Sequence, residues 1–533
     1  MTVSPIGIQG FITSFEERLT PVEKASSEAW WNLATTGTEE AQKELVRTGM
    51  AYNELFADRG EYEMVRGWYE GREPLESSLL RRQVEILYRT FAGRQGDEES
   101  LRRIEELEAE ANAIYSNHRG LVGDKEVNEN ELREILRVSD NPALRRKAWE
   151  ASKSVGRKLE SIVRELARLR NGLARAEGLT DHHARSLDLQ EIDAAELARL
   201  MDDLQAATDA PFREFKAGLD ADLKRRFGVE RAMAWHLSDP FFQEPPERGN
   251  LDVDRYFAGK DLEALTRETY DRLGFEVRDV IARSDLYERA GKDQHAFCLR
   301  VGRSYPYDVR VLANVRDDAY WMNTMLHEFG HAVYDKYINP ALPYLLRTIA
   351  HINSTEAIAL MMGSLADDPG WLSSVVGVTE EEIASDLGEL AGRRRDDGLV
   401  FTRWALVMYR FEKALYENPD REDLNDLWWD LVERTQLVQR PPSRDEPDWA
   451  AKLHVALAPV YYHNYVLGNL TAAQLRHHLE KDVVGGPFYE HELSGRYLQE
   501  AFFGPGARDD WKTTVLRATG EELNPDYFVK ALI

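Results

Sequence analysis

Residues 321–339 read WMNTMLHEFGHAVYDKYIN, and within them His327, Glu328 and His331 form the pattern H-E-x-x-H. Residues four apart on an α-helix lie one above the other, so both imidazoles project from one face and can grip one metal ion at about 2.0–2.1 Å. Glu328 is turned away from them by about 100°. It can therefore stand beside a metal without ligating it and take a proton from activated water. The flanks predict the helix itself. Asp317 and Asp318 offer capping carboxylates, Trp321, Met325, Phe329, Val333 and Tyr337 recur as an apolar stripe, and Asn339-Pro340 is a stop signal. Incidental surface histidines would need none of this context.

A catalytic zinc ion keeps three protein ligands and one open position. Glu356, in HINSTEAIALMMGSLA, is the candidate third ligand, because a carboxylate opening an otherwise apolar helix needs a reason to be there. Its alternative role is to complement the positive end of the helix dipole.

The 533 residues carry a net charge of −26 with pI near 5.1, which argues against nucleic acid or an anionic membrane as the main partner. A single cysteine, Cys298, permits no intramolecular disulfide. The N-terminal residues lack a basic region followed by a long apolar run, and AIALMMGSLA has the length of a buried helix rather than a span. These features predict a soluble, cytoplasmic protein.

The first 230 residues predict helix after helix. No proline falls between Pro74 and Pro142, and Leu80, Val84, Leu87 and Phe91 keep helical spacing, as do Leu101, Ile104, Leu107, Ala111 and Ile114. Asn141-Pro142 is a cap followed by a first-turn proline, and Leu159, Ile162, Leu166 and Leu169 continue the pattern. Residues 233–250 break the rhythm with prolines and a glycine, which predicts a loop or lobe connection. Two short strands are expected at 295–301 and 308–315, running straight into the H-E-x-x-H helix. They form either a structural hairpin or an edge to which an extended peptide can add. Further on, a proline-rich loop delivers AKLHVALAPVYYHNYVLGNLTAAQL, where Lys452, His454, Tyr461, Tyr462 and Tyr465 crowd into an apolar stretch. Tyrosines at such spacing serve a core or a site.

LHEFGH, STEAIA, LYENPDREDLNDLWWDLVERTQ and DWAAKLHVALAPVYYHNYVLGNLTAAQL together resemble the angiotensin-converting-enzyme family of zinc peptidyl-dipeptidases in its single-domain bacterial form. AWWNLATTGTEEAQ and DNPALRRKAWEASKSVG extend the resemblance into the N-terminal half. HEFGH and the tyrosine segment are also similar to thimet-type oligopeptidases. The resemblance implies a mostly α, zincin-like fold: a helical bilobed ellipsoid with a deep central channel and a small hairpin or sheet beside the zinc helix. It implies one catalytic domain over 1–533, with lobes at 1–232 and 233–533.

Residue by residue, it implies one zinc ion held by His327, His331 and Glu356, with Glu328 as the base. Tyr465 would donate to the oxyanion, and His454 and His295 would bind substrate main chain together with Ala296. Lys452 and Tyr462 would hold the substrate's C-terminal carboxylate, with Tyr461 as substitute for Tyr462 because the alignment needs one inserted residue. Three departures stand out. Asn464 replaces a chloride-binding arginine, Leu360 stands where an aspartate orients a zinc histidine, and the glutamine that helps grip the carboxylate has no clear match. The expected activity is hydrolysis of oligopeptides with release of C-terminal dipeptides. The alternatives are internal cleavage of thimet type and a catalytically silent metal- or peptide-binding protein.

Overall fold

A computed structural model describes residues 5–72, 75, 77–246 and 251–533. Pro74, where the proline-free run begins, and residues 247–250 at the end of the expected connection lie outside them. The architecture is mostly α, as the periodicities predict. The helix Ser78–Ala92 buries Leu80, Val84, Leu87 and Phe91, and is capped by Ser77 accepting from the Leu80 amide. Asn141 caps the helix Pro142–Lys153 through the amides of Ala143 and Leu144, with proline in its first turn as expected. Gly156–Ala176 buries Leu159, Ile162 and Leu166.

Among the described residues two antiparallel hairpins accompany the helices. Strands β1 (Gly120–Val122) and β2 (Lys125–Val127) pair Gly120 with Val127. Strands β3 (Phe297–Arg300) and β4 (Val309–Leu312) pair Phe297 with Leu312. The first hairpin corrects the expectation of unbroken helices up to residue 230. Its strands have three residues each, and Gly123, at φ +67, makes the tight turn that other residues resist. The second hairpin falls where strands are expected but is shorter than 295–301 and 308–315. His295 and Ala296 precede the ladder, and the His295 amide turns back to the Asp293 carboxylate at 2.9 Å.

The chain forms two compact units, each assembled from separated segments. One comprises Met1–Gln95, Leu251–Leu390 and Leu467–Phe528; the other comprises Gly96–Asn250, Ala391–Val466 and Val529–Ile533. The chain thus returns to each unit repeatedly.

In the first unit the helix Ala319–Lys336 carries the H-E-x-x-H pattern and packs on the helix Ile352–Gly363. Met322, Met325, Leu326, Phe329 and Val333 of the former and Ala357, Ile358, Ala359, Met361 and Met362 of the latter are buried. Asp318 is the cap, accepting from the Trp321 amide at 2.8 Å. Asp317, expected to share that role, instead accepts from the Gly259 amide at 2.7 Å. The helix ends at Lys336, before Asn339-Pro340, with Tyr337 as its C-cap.

In the second unit Trp149, Trp404, Phe411 and Trp449 are fully buried, and Arg145 ties its guanidinium to the carbonyls of Trp235, His236 and Leu237. That anchors the described part of the expected connection, which is irregular apart from short turns at Ala234–His236 and at 240–241. Among the described residues no helix is long and apolar enough to cross a membrane.

Candidate active site

Helix-on-helix packing brings the candidate ligands together, and Gly330 sets how close the two helices come. A methyl group there would stand 2.9 Å from the Ala359 Cα and 3.2 Å from the Ile358 carbonyl oxygen. Gly330→Ala is expected to force the helices apart, costing about 1–3 kcal/mol. A lower melting temperature together with weaker zinc binding would be the signature. Unchanged values of both would mean that the contact yields easily.

Donor atoms of His327, His331 and Glu356 all lie within 4.8 Å of one another, and among the described residues no other group of three His, Cys, Asp or Glu side chains does so. His327 Nε2 is 3.2 Å from His331 Nε2 and 3.8 Å from Glu356 Oε2. Two donors at about 2.1 Å from one tetrahedral centre stand roughly 3.4 Å apart, so the spacing suits a zinc-sized ion. The two Nε2 atoms also face each other. As ligands neither carries a proton there, so their lone pairs oppose unless a cation lies between them.

Electrostatics agree with this geometry. Burial lowers His327 to about 4, and burial with the His327 charge lowers His331 to about 3, so both rings are neutral at ordinary pH, the form that ligates. Burial pushes Glu356 up to about 7. Glu328 is pushed up to about 8 by burial and by the Glu356 charge, opposed by the main-chain N–H of Cys298 in β3. Two carboxyl groups driven towards neutrality in one place are costly, and a divalent cation among them reverses the sign by favouring their charged forms. Glu328 is buried beside the triad without belonging to it.

The remaining candidates fall in two places. His295 and Ala296 lead into β3 in the first unit, where Phe297 meets the rings of Trp30 and Trp31 at 6.1 and 6.2 Å. Lys452, His454 and the three tyrosines belong to the second unit. There the His454 ring lies 5.3 Å from Tyr462, and Tyr465 lies 5.7 Å from Tyr462 and 5.1 Å from Tyr461. Lys452 is buried, stands 5.9 Å over the Tyr462 ring and 5.4 Å over that of Trp404, and is lowered to about 8 by burial. The Tyr462 ring thus stands beside both Lys452 and His454.

Just before the tyrosines the backbone is irregular at one residue. Val460 sits at φ +54, a conformation that a β-branched residue resists. Its N–H donates to Glu412 Oε1 at 3.1 Å and its carbonyl accepts from Gln190 Nε2 at 3.3 Å. Asn464, in place of the family arginine, donates to Gln190 Oε1 at 2.8 Å.

Sequence reasoning missed Gln243. Lys452 Nζ donates to Gln243 Oε1 at 2.8 Å, bridging 209 positions of sequence. No motif marks Gln243; it lies in a stretch legible only as a connection. Thr355, whose Oγ1 is 2.7 Å from His331 Nδ1, was equally unmarked.

Comparison with known proteins follows the same lines. The model of peptidase family M3 matches residues 135–532, and the angiotensin-converting enzyme model matches residues 5–232. Thermostable carboxypeptidase 1 of Pyrococcus furiosus is 25% identical over 433 residues, covering 74% of this chain and 78% of that protein.

Proposed function

We propose that this chain, a metallopeptidase that belongs to peptidase family M3, binds oligopeptides by their free C-terminus and releases dipeptides from that end. One zinc ion held by His327, His331 and Glu356 would supply Lewis-acid activation of water and of the scissile carbonyl. Glu328 takes the proton of the attacking water on its carboxylate and passes it to the leaving amine nitrogen. Tyr465 donates its phenolic O–H to the oxyanion of the tetrahedral intermediate. His454, His295 and the main chain at Ala296 bind substrate carbonyl and amide groups, in the manner of an added strand. Lys452 and Tyr462 hold the terminal carboxylate, with Tyr461 as the substitute for Tyr462, and Gln243 takes the part of the glutamine that the sequence left unmatched.

The observation that carries the C-terminal reading is Lys452. A buried ammonium that donates to the neutral amide of Gln243, with the carboxylates of Asp239, Glu244 and Glu129 acting on it by charge and Arg133 opposing them, is placed to receive a substrate carboxylate. The carboxypeptidase name of the Pyrococcus furiosus relative supports the same end of the substrate. The second reading is internal cleavage by an oligopeptidase, favoured by the resemblance of the HEFGH and tyrosine segments to the thimet type.

Two otherwise identical N-blocked decapeptides, one with a free C-terminus and one amidated, separate these readings by mass spectrometry of products. Successive loss of dipeptides from the free acid alone is the expected result. Internal cuts in both would transfer the assignment to the oligopeptidase. Release of single residues would keep the carboxylate clamp and overturn the two-residue measure.

A further inference from the structure

A ligating histidine has a second ring nitrogen, and what that nitrogen meets decides which tautomer the ring adopts and how firmly it is aimed. The family resemblance places an aspartate for this purpose four residues after the glutamate ligand. Here that position is Leu360, so either His331 lacks a partner or another group supplies it.

Resting on the metal site read above, we propose that Thr355 is the positioning residue for His331: its Oγ1, 2.7 Å from Nδ1, accepts the Nδ1–H and leaves Nε2 with a free lone pair for the metal. Thr355 is 5% exposed, so solvent does not compete for that bond. It also immediately precedes Glu356 in the helix Ile352–Gly363. One peptide unit therefore ties a ligand to the group that aims another.

Other buried helical threonines use their hydroxyls differently. Thr208, Thr266 and Thr269 each donate to the carbonyl four residues back. Thr355 lies in the first turn of its helix, and its hydroxyl meets the imidazole.

A hydroxyl suits this site better than a carboxylate. Glu328 and Glu356 already place two carboxyl groups beside the imidazoles, and a third would have to be accommodated there as well. The hydroxyl fixes the tautomer without adding charge.

The test is zinc affinity of the full-length protein, measured by competition with a chromophoric chelator, with thermal unfolding of the metal-free form alongside. Thr355→Val keeps the shape and removes the hydroxyl. It is expected to weaken zinc binding by about 10- to 100-fold, with the metal-free melting temperature little changed. Thr355→Ser restores the acceptor and is expected to bind within about threefold of the unaltered protein. If the valine variant does not fold, Thr355→Ala is measured in its place against the same serine rescue. Equal affinity of the valine or alanine variant and the unaltered protein overturns the role of Thr355 and leaves the metal site standing. Zinc binding that is lost with valine but not regained with serine overturns it too, because packing would then be the cause. An unaltered protein that does not bind zinc overturns the metal site itself and this inference with it.

Discussion

Glu328→Gln retains zinc and loses peptide hydrolysis. The two halves of this expectation rest on different features. Glu328 stands outside the cluster formed by His327, His331 and Glu356, so its exchange leaves the donor set intact. The amide has the size and shape of the carboxyl, and its oxygen can still accept the Cys298 main-chain N–H that meets Glu328. Folding should be unharmed as well. Burial already drives this carboxyl up to about 8, so the fold itself does not depend on a charge at this point. An amide, however, cannot take a proton from water. General-base catalysis contributes about 10²- to 10⁴-fold, and losing the base that also returns the proton to the leaving amine should cost at least about a thousandfold in kcat. Metal analysis and steady-state hydrolysis of the free-acid decapeptide check the two halves on the same sample. Zinc retained with activity near normal would remove Glu328 from the chemistry; zinc lost would make it part of the binding site instead.

The parts of this site that the sequence made legible are those written locally. His327, Glu328 and His331 share one helix, and the spacing of its apolar residues and the Asp318 cap announce that helix without any tertiary information. Glu356 was legible for a related reason, since a carboxylate at the head of an apolar helix is out of place unless it serves something. Illegible were the contacts made over distance. Lys452 finds Gln243 across 209 positions, and nothing in the residues around Gln243 distinguishes it from a loop amide. Thr355 was hidden differently, because a threonine in a helix's first turn is expected to serve the backbone. The hairpin of β1 and β2 escaped because three-residue strands are too short to show a period of two; only the Gly123-Asp124 pair signalled the turn. Gly330 shows the opposite case. It sits inside a motif recognised for its neighbours, yet its missing side chain is what lets Ala359 approach and so places Glu356 beside the imidazoles.

Tyr465→Phe should lower turnover about a hundredfold, near 3 kcal/mol of lost transition-state stabilisation, and leave KM close to its original value. The substitution removes one oxygen and keeps the ring. Three rings pack against that of Tyr465: Phe401 edge-on at 5.9 Å, Tyr461 at 5.1 Å and Tyr462 at 5.7 Å. Phenylalanine preserves all three ring contacts, and an unchanged melting temperature would show that the pocket stays ordered. A donor aimed at charge that exists only in the transition state contributes nothing to holding the ground-state peptide, which is why kcat and not KM should carry the loss. The neighbouring tyrosines provide the contrast. Lys452 stands over the Tyr462 ring, and the phenylalanine variant of Tyr462 is expected to raise KM for the free-acid peptide while sparing kcat, as the proposed grip on a carboxylate throughout the reaction requires. If Tyr465→Phe left turnover unchanged while Tyr461→Phe lost it, the oxyanion donor would be Tyr461. Should none of the three variants lose turnover, the negative charge would have to be borne without a phenol, and the likeness of this segment to the converting enzymes would be one of packing alone.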